Sequence, residues 1–219
     1  MTNMFAACFS LTSLDLSNFD TSQVVDMVSA FSGCVKLKSL NLSSFKTANA
    51  VKIQNMFYGC TSLNSLNIEN FDTSKITNMS CIFAYCQSLT LINISSFKTI
   101  AATNMEGLFY KCSSLTTLDL SNFDTSQVTA FKEMFFDCSK LNILNLSNFN
   151  ISKISNMDNM FSNCNKLEYI NLKNAVVQSV SVTMNNIISN TSLNLVVCTF
   201  DNLLIAKVKE KECVIIDCS

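Results

Sequence analysis

The chain has 219 residues, 48% of them hydrophobic and 14% charged, which is enough apolar material for a continuous core and too little charge for a disordered polymer. Fifteen basic against sixteen acidic side chains leave a net charge of −1, so the positive field that nucleic acid or an anionic membrane requires is missing. There is no His, Pro, Trp or Arg and there are three Gly; without His the commonest general base and metal ligand is absent. No apolar run approaches the roughly eighteen residues of a membrane span. The abundance of Asn, Ile and Phe reads as compositional bias.

The N-terminal stretch Met1-Thr2-Asn3-Met4-Phe5 has neither the basic n-region nor the apolar h-region of a signal peptide. The expectation is a protein not secreted in this form, or a piece of a longer one. Cysteine recurs every 26 residues, at Cys8, Cys34, Cys60, Cys86, Cys112, Cys138 and Cys164. Seven copies in register make the chain an array of one short unit, in which no unit buries its apolar face alone. Phe5 and Cys8 already stand in phase with this repeat.

Within the unit, Phe stands three residues before each cysteine: Phe5, Phe31, Phe57, Phe83, Phe109, Phe135 and Phe161. Met79, Ile82, Phe83 and Cys86 fall at i, i+3, i+4 and i+7, which predicts a short helix of about two turns before each cysteine. Counting from the cysteine, Leu fills +3 in all seven units, from Leu11 to Leu167. Leu or Ile fills +6 (Leu14 to Ile170) and +8 (Leu16 to Leu172). Alternation with polar +5, +7 and +9 predicts one short strand per coil with one buried face. At +11, from Phe19 to Phe149, a second Phe recurs.

The L-x-x-L-x-L strand with a helix in 26 residues resembles a leucine-rich repeat. Units such as Leu115 to Val128, followed by a Met-Phe-x-x-Cys element at Met134 to Cys138, are similar to the BspA-like surface proteins related to the Treponema-type repeats. The resemblance covers residues 1 to about 190. It implies an α/β solenoid of about seven coils, each with a short parallel strand and a short helix. Residues 1–190 form the solenoid, and 191–219 a degenerate last repeat with a C-terminal cap. In ordinary leucine-rich repeats +11 is a buried Asn; here an aromatic spine stands in its place.

A second period runs over two coils. Position +12 reads Asp20, Lys46, Asp72, Lys98, Asp124 and then Asn150, a ladder of opposite charges worth at most about 1 kcal/mol per exposed pair. Duplication of a 52-residue block explains the same alternation. The seven ladder cysteines follow a core Phe on one apolar face, so buried structural thiols are expected, with serial disulfides or a metal as the alternatives. No C-x-x-C pair exists to support zinc. Cys81 is expected to be exposed. In the C-terminal segment, Leu193, Val196 and Cys198 preserve the +3, +6, +8 pattern with Asn190 at the cysteine position, and Cys213 with Cys218 can staple the cap in an oxidising compartment.

The exposed sheet face presents +5, +7 and +9. Its candidate binding residues are Asp15, Asn41, Asn67, Glu69, Leu91, Asn93, Asp119, Ile143, Asn145, Tyr169, Asn171 and Lys173, with Leu91, Ile143 and Tyr169 as the bulky anchors. The same residues also suit a plain solvated sheet face. No nucleophile and base pair, carboxylate dyad or phosphate loop stands out from the repeats, so a non-enzymatic binding module without cofactor is expected. The resemblance implies an adhesin-like protein at the cell surface or secreted, engaging a host or matrix protein or a glycan. An intracellular, cytoplasmic repeat scaffold is the alternative. Nucleic acid is not an expected partner, and the chain is expected to be monomeric or weakly self-associating.

Overall fold

The computed structural model describes residues 1–178, 181–210, 214–216 (by their backbone) and 218. The chain winds as a solenoid of 26-residue coils, and the segment before each cysteine carries its most regular hydrogen bonding. The N–H groups of Met27, Ser29, Phe31 and Gly33 donate to the carbonyls of Lys52, Gln54, Met56 and Tyr58 in the next coil. Those of Ala30, Ser32 and Cys34 turn back to carbonyls three residues earlier. Ser29 and Gly33 adopt φ of 52° and 75°, left-handed positions that the interior of an α-helix does not admit.

The predicted helix is therefore replaced by a ribbon of linked turns. An α-helix bonds its donors within itself, whereas this ribbon sends every second N–H across to its neighbour. The predicted face is nonetheless buried: Met79, Ile82, Phe83 and Cys86 have 1% exposure or less. The ribbon bond recurs without a break, from Phe5 to Ala30 through Phe83 to Leu108 and on to Phe161 with Ile187.

The strands are shorter and less continuous. β1 (Ser39–Asn41) pairs in parallel with β2 (Ser65–Asn67), and β3 (Ile143–Asn145) with β4 (Tyr169–Asn171) and β5 (Val196–Cys198). Each has three residues, and no described strand stands at the equivalent positions around Leu14, Ile92 and Leu118. The strand rail is thus interrupted where the turn ribbon is not.

Side chains complete the core. Rings of the Phe5-to-Phe161 ladder stack with centroids 5.5 to 5.8 Å apart and planes within 11° of parallel. The second row, Phe45, Phe71, Phe97, Phe123 and Phe149, is buried and meets the first at a tilt, as where Phe83 and Phe97 lie 6.2 Å apart. Such offset and tilted contacts are the favoured aromatic geometries.

A buried polar rail runs beside them. Thr21, Thr47, Thr73, Thr99 and Thr125, at +13, are at most 3% exposed. Each hydroxyl accepts the backbone N–H of the +12 residue of the next coil and donates to that residue's carbonyl, as Thr73 does with Lys98. This two-way clip satisfies backbone groups that burial otherwise orphans. The charge ladder is mostly absent: of the +12 pairs only Lys98 and Asp72 close to 3.5 Å among the described residues. The remaining carboxylates serve the turns instead, for Asp20 and Asp124 accept the N–H groups of Ser22 and Ser126.

At the C-terminal end the expected eighth strand is present with a one-residue correction. Tyr169 pairs with Val196 and Ile170 with Val197, so Val197, not Val196, takes the buried +6 place. The coil holds one residue more than its predecessors, and a slip of one exchanges the faces of a strand. Leu193 is accordingly 98% exposed while Leu195 is fully buried. Asp201 caps α1 (Asn202–Lys209) by accepting the N–H groups of Leu203 and Leu204, and Leu204 and Val208 bury the helix against the core. A further strand, β6 (Val214–Ile216), pairs with β5. Cys198 is bonded to Cys218, so the staple runs from β5 and not from Cys213, which lies outside the described residues.

Two substitutions test this account. Phe83→Ala is expected to cost about 3 to 5 kcal/mol in denaturant unfolding. Thr73→Val, which keeps shape and removes the hydroxyl, is expected to cost about 2 to 4 kcal/mol because two buried backbone groups lose their partner. Losses below one kcal/mol would remove these residues from the core.

Candidate binding surface

The sheet face is built at +5, +7 and +9, and the +7 residues have a structural task. Asp15, Asn41, Asn67, Asn93, Asp119, Asn145 and Asn171 each accept, through Oδ1, the backbone N–H two residues on. These Asx turns end each strand. The backbone N–H of Ser17 and Ser121 holds the carboxyls of Asp15 and Asp119 below the usual range. Seven of the twelve candidate residues are therefore corner pieces, engaged with their own backbone.

The others are freer. Glu69 and Lys173 are exposed, and Lys173 Nζ donates to the carbonyl of Cys218. Leu91 and Ile143 stand 67% and 56% exposed, on a face made mostly of Ser, Thr, Asn and Asp. Tyr169 is half-buried between the strand partners Ile143 and Val196. The structure thus gathers Ile143, Tyr169 and Val196 into one apolar row at the C-terminal half of the sheet. Leu91 lies in the same +5 row, two coils before Ile143.

The ladder cysteines do more than fill space. Each thiol from Cys34 to Cys164 donates to the carbonyl of the Phe 29 residues earlier, at 3.0 to 3.3 Å. That carbonyl also takes the N–H of its own coil's cysteine, as Phe57 does from Cys60, so the weak S–H donor fills its second lone pair. Burial raises the thiols of Cys60, Cys112 and Cys164 to about 12 and that of Cys34 to about 11. Among the described residues no group of three or more His, Cys, Asp or Glu is arranged to hold a metal ion. Cys81, expected to be exposed, is half-buried.

A second surface is not marked by the repeat pattern. Tyr58, Tyr85, Tyr110 and Phe136 touch in sequence along the outside of the turn ribbon. The signal in the sequence is an aromatic residue one or two places before Cys60, Cys86, Cys112 and Cys138, a row hidden by its one-residue stagger.

Comparison with known proteins bears on the repeat itself. A family model described as "Mycoplasma protein of unknown function, DUF285" matches residues 1–99 and again 87–197. The chain belongs to the DUF285 family. The two overlapping matches together span residues 1–197. Among solved structures, a leucine-rich repeat protein from Bacteroides ovatus ATCC 8483 aligns at 18% identity with a TM-score of 0.37, over 80% of this DUF285 chain and 59% of that one. The chain therefore spans less than two thirds of that protein's length. No curated protein matches it.

The thiol environment yields a direct test. Iodoacetamide at about pH 8 is expected to modify Cys81 and Cys8 of the native protein and to reach the six buried ladder thiols only in denaturant. Burial raises those thiols above their ordinary 9.0. Their contribution to stability is then intact below about pH 9 and is lost as pH rises towards about 12. Alkylation of Cys86 or Cys112 in the native state would contradict the ladder.

Proposed function

We propose that this protein is a non-enzymatic binding module that engages a partner protein through the C-terminal half of its sheet face. The observation that carries this reading is the exposure of Ile143, a large apolar side chain paired in one row with Tyr169 and Val196 on a mostly polar surface, with Leu91 exposed at the same position two coils earlier. Tyrosine is among the residues enriched at the hot spots of protein recognition, and a stacked solenoid offers an extended surface around it. The Asx turns at +7 support it further, since they fix the strand ends and lower the ordering cost of binding.

The chain's likeness to BspA-like repeats extends the proposal to an adhesin-like protein displayed at the cell surface, with a host or matrix protein as partner. The Cys198–Cys218 disulfide favours an oxidising compartment over the cytoplasmic scaffold reading.

Binding to surfaces coated with fibronectin, laminin or collagen tests the proposal. Ile143→Ser combined with Tyr169→Ala is expected to weaken binding by about tenfold or more, equivalent to the loss of a hot spot. Ser39→Ala, in the polar half, is expected to leave it unchanged. Retained binding by the double variant would exclude this face.

A further inference from the structure

The aromatic row on the turn ribbon borders a pocket. Ring centroids of Tyr58, Tyr85, Tyr110 and Phe136 succeed one another at 5.2, 5.2 and 4.9 Å. The three tyrosines, with Cys81, Glu106 and Glu133, line a hollow of about 190 Å³. Its lining is part aromatic and part carboxylate.

Both kinds of wall already hold a lysine of the chain itself. Lys111 Nζ lies 5.5 Å from the Tyr85 ring centre and 5.7 Å from that of Tyr110, within cation–π range. Lys132 Nζ lies 3.4 Å from Glu106 Oε1, and the Glu133 and Glu106 carboxylates raise the ammonium's pKa. Glu133 itself forms no ion pair within 4.0 Å among the described residues. Its charge reaches its neighbours instead: burial first, then Glu106 and Glu133, raises the Cys81 thiol.

The left-handed positions of the repeat fall here too. Cys81, Tyr85, Lys111 and Glu133 adopt φ between 54° and 62°. The matching points of the other coils are also left-handed, at Asn and Gly residues and at Ala7, Ser29 and Asp137. Tyr85 and Lys111 carry bulkier side chains into this conformation than the Ala7, Gly33, Gly59, Asp137 and Asn163 of the same position.

Occupants differ in how they answer both walls. A neutral sugar can stack on tyrosine but leaves the Glu133 carboxylate without an ion pair inside 4.0 Å among the described residues as the pocket loses water. An anion would meet the carboxylates of Glu106 and Glu133. A quaternary ammonium satisfies the rings but has no N–H for the carboxylate, whereas a primary ammonium serves both. We propose that this pocket binds a lysine side chain of a partner protein, with its ammonium between the Glu133 carboxylate and the tyrosine rings. The pocket shares no residue with the sheet-face row, and the proposal stands or falls without it.

The chain has no Trp, and three of its four Tyr lie at the pocket, so intrinsic tyrosine emission reports on it. The protein is titrated at low salt with the blocked peptide acetyl-Gly-Lys-Gly-amide, and in parallel with its norleucine analogue and with choline. A saturable emission change is expected with the lysine peptide, about tenfold weaker or more with norleucine, and reduced by added salt. Glu133→Gln, with its melting temperature as the check on folding, is expected to weaken binding about fivefold or more, and Ser39→Ala to leave it unchanged. The proposal is overturned if norleucine binds equally, if Glu133→Gln binds as the parent does, or if choline saturates at lower concentration than the lysine peptide. It is equally overturned if neither emission nor the amide NMR signals of Tyr85 and Glu133 change saturably.

Discussion

Every coil gives the N–H groups of its turn ribbon to the next coil, and most other features of the molecule answer to that bond. A chain folded from units too small to bury a core needs contacts that repeat identically from unit to unit. The ribbon supplies them by sending alternate donors outward, as Met27, Ser29, Phe31 and Gly33 do. It also sets the stacking distance that lets the phenylalanine rings lie within 11° of parallel.

Two families of side chain then settle polar groups that the ribbon and strands leave over. The ladder cysteine gives its S–H to the Phe carbonyl of the previous coil, which no backbone N–H of the next coil reaches. The +13 threonine binds both backbone groups of the +12 residue beyond it. Asn and Asp close the corners at +7, and again at +18 in Asp26, Asn78, Asn104 and Asn156. In a chain without Pro and with three Gly, these side chains do the turning. The Asn content that looks like compositional bias has a mechanical use.

Against this regular frame the two surfaces proposed to meet a partner are those that break the rule of the repeat. On the sheet, Leu91 and Ile143 replace the Ser of earlier coils at +5, such as Ser39 and Ser65. On the ribbon, Tyr85, Lys111 and Glu133 occupy left-handed positions that Gly or Asn fill in several other coils and Ala7, Ser29 and Asp137 in the rest. Each deviation exposes a bulky or charged group on a rigid support, where binding requires little further ordering.

The sequence by itself determined the coil length, the Phe and Leu rows of the core, the strand phase and the location of the cap, because burial repeats at the same interval as the residues. It also identified the strand face and the bulky side chains on it. Periodicity misreads the segment before each cysteine, since i, i+3, i+4, i+7 burial is shared by an α-helix and by linked turns of similar reach; Ser29, Cys81 and Glu133 give no sign of a left-handed backbone. The +13 threonines carry no signal of burial because hydroxyls are ordinarily exposed. Periodicity also sets the eighth strand one residue early, the extra residue of its coil being silent until strand pairing sets Val197 beside Ile170. Only the tertiary structure decided where donors go, which side chains satisfy them, that Cys218 meets Cys198, and that three tyrosines and two glutamates from successive coils share one hollow. Those outcomes depend on contacts between residues about 26 apart in sequence, and a repeat pattern states that such contacts exist without stating their geometry.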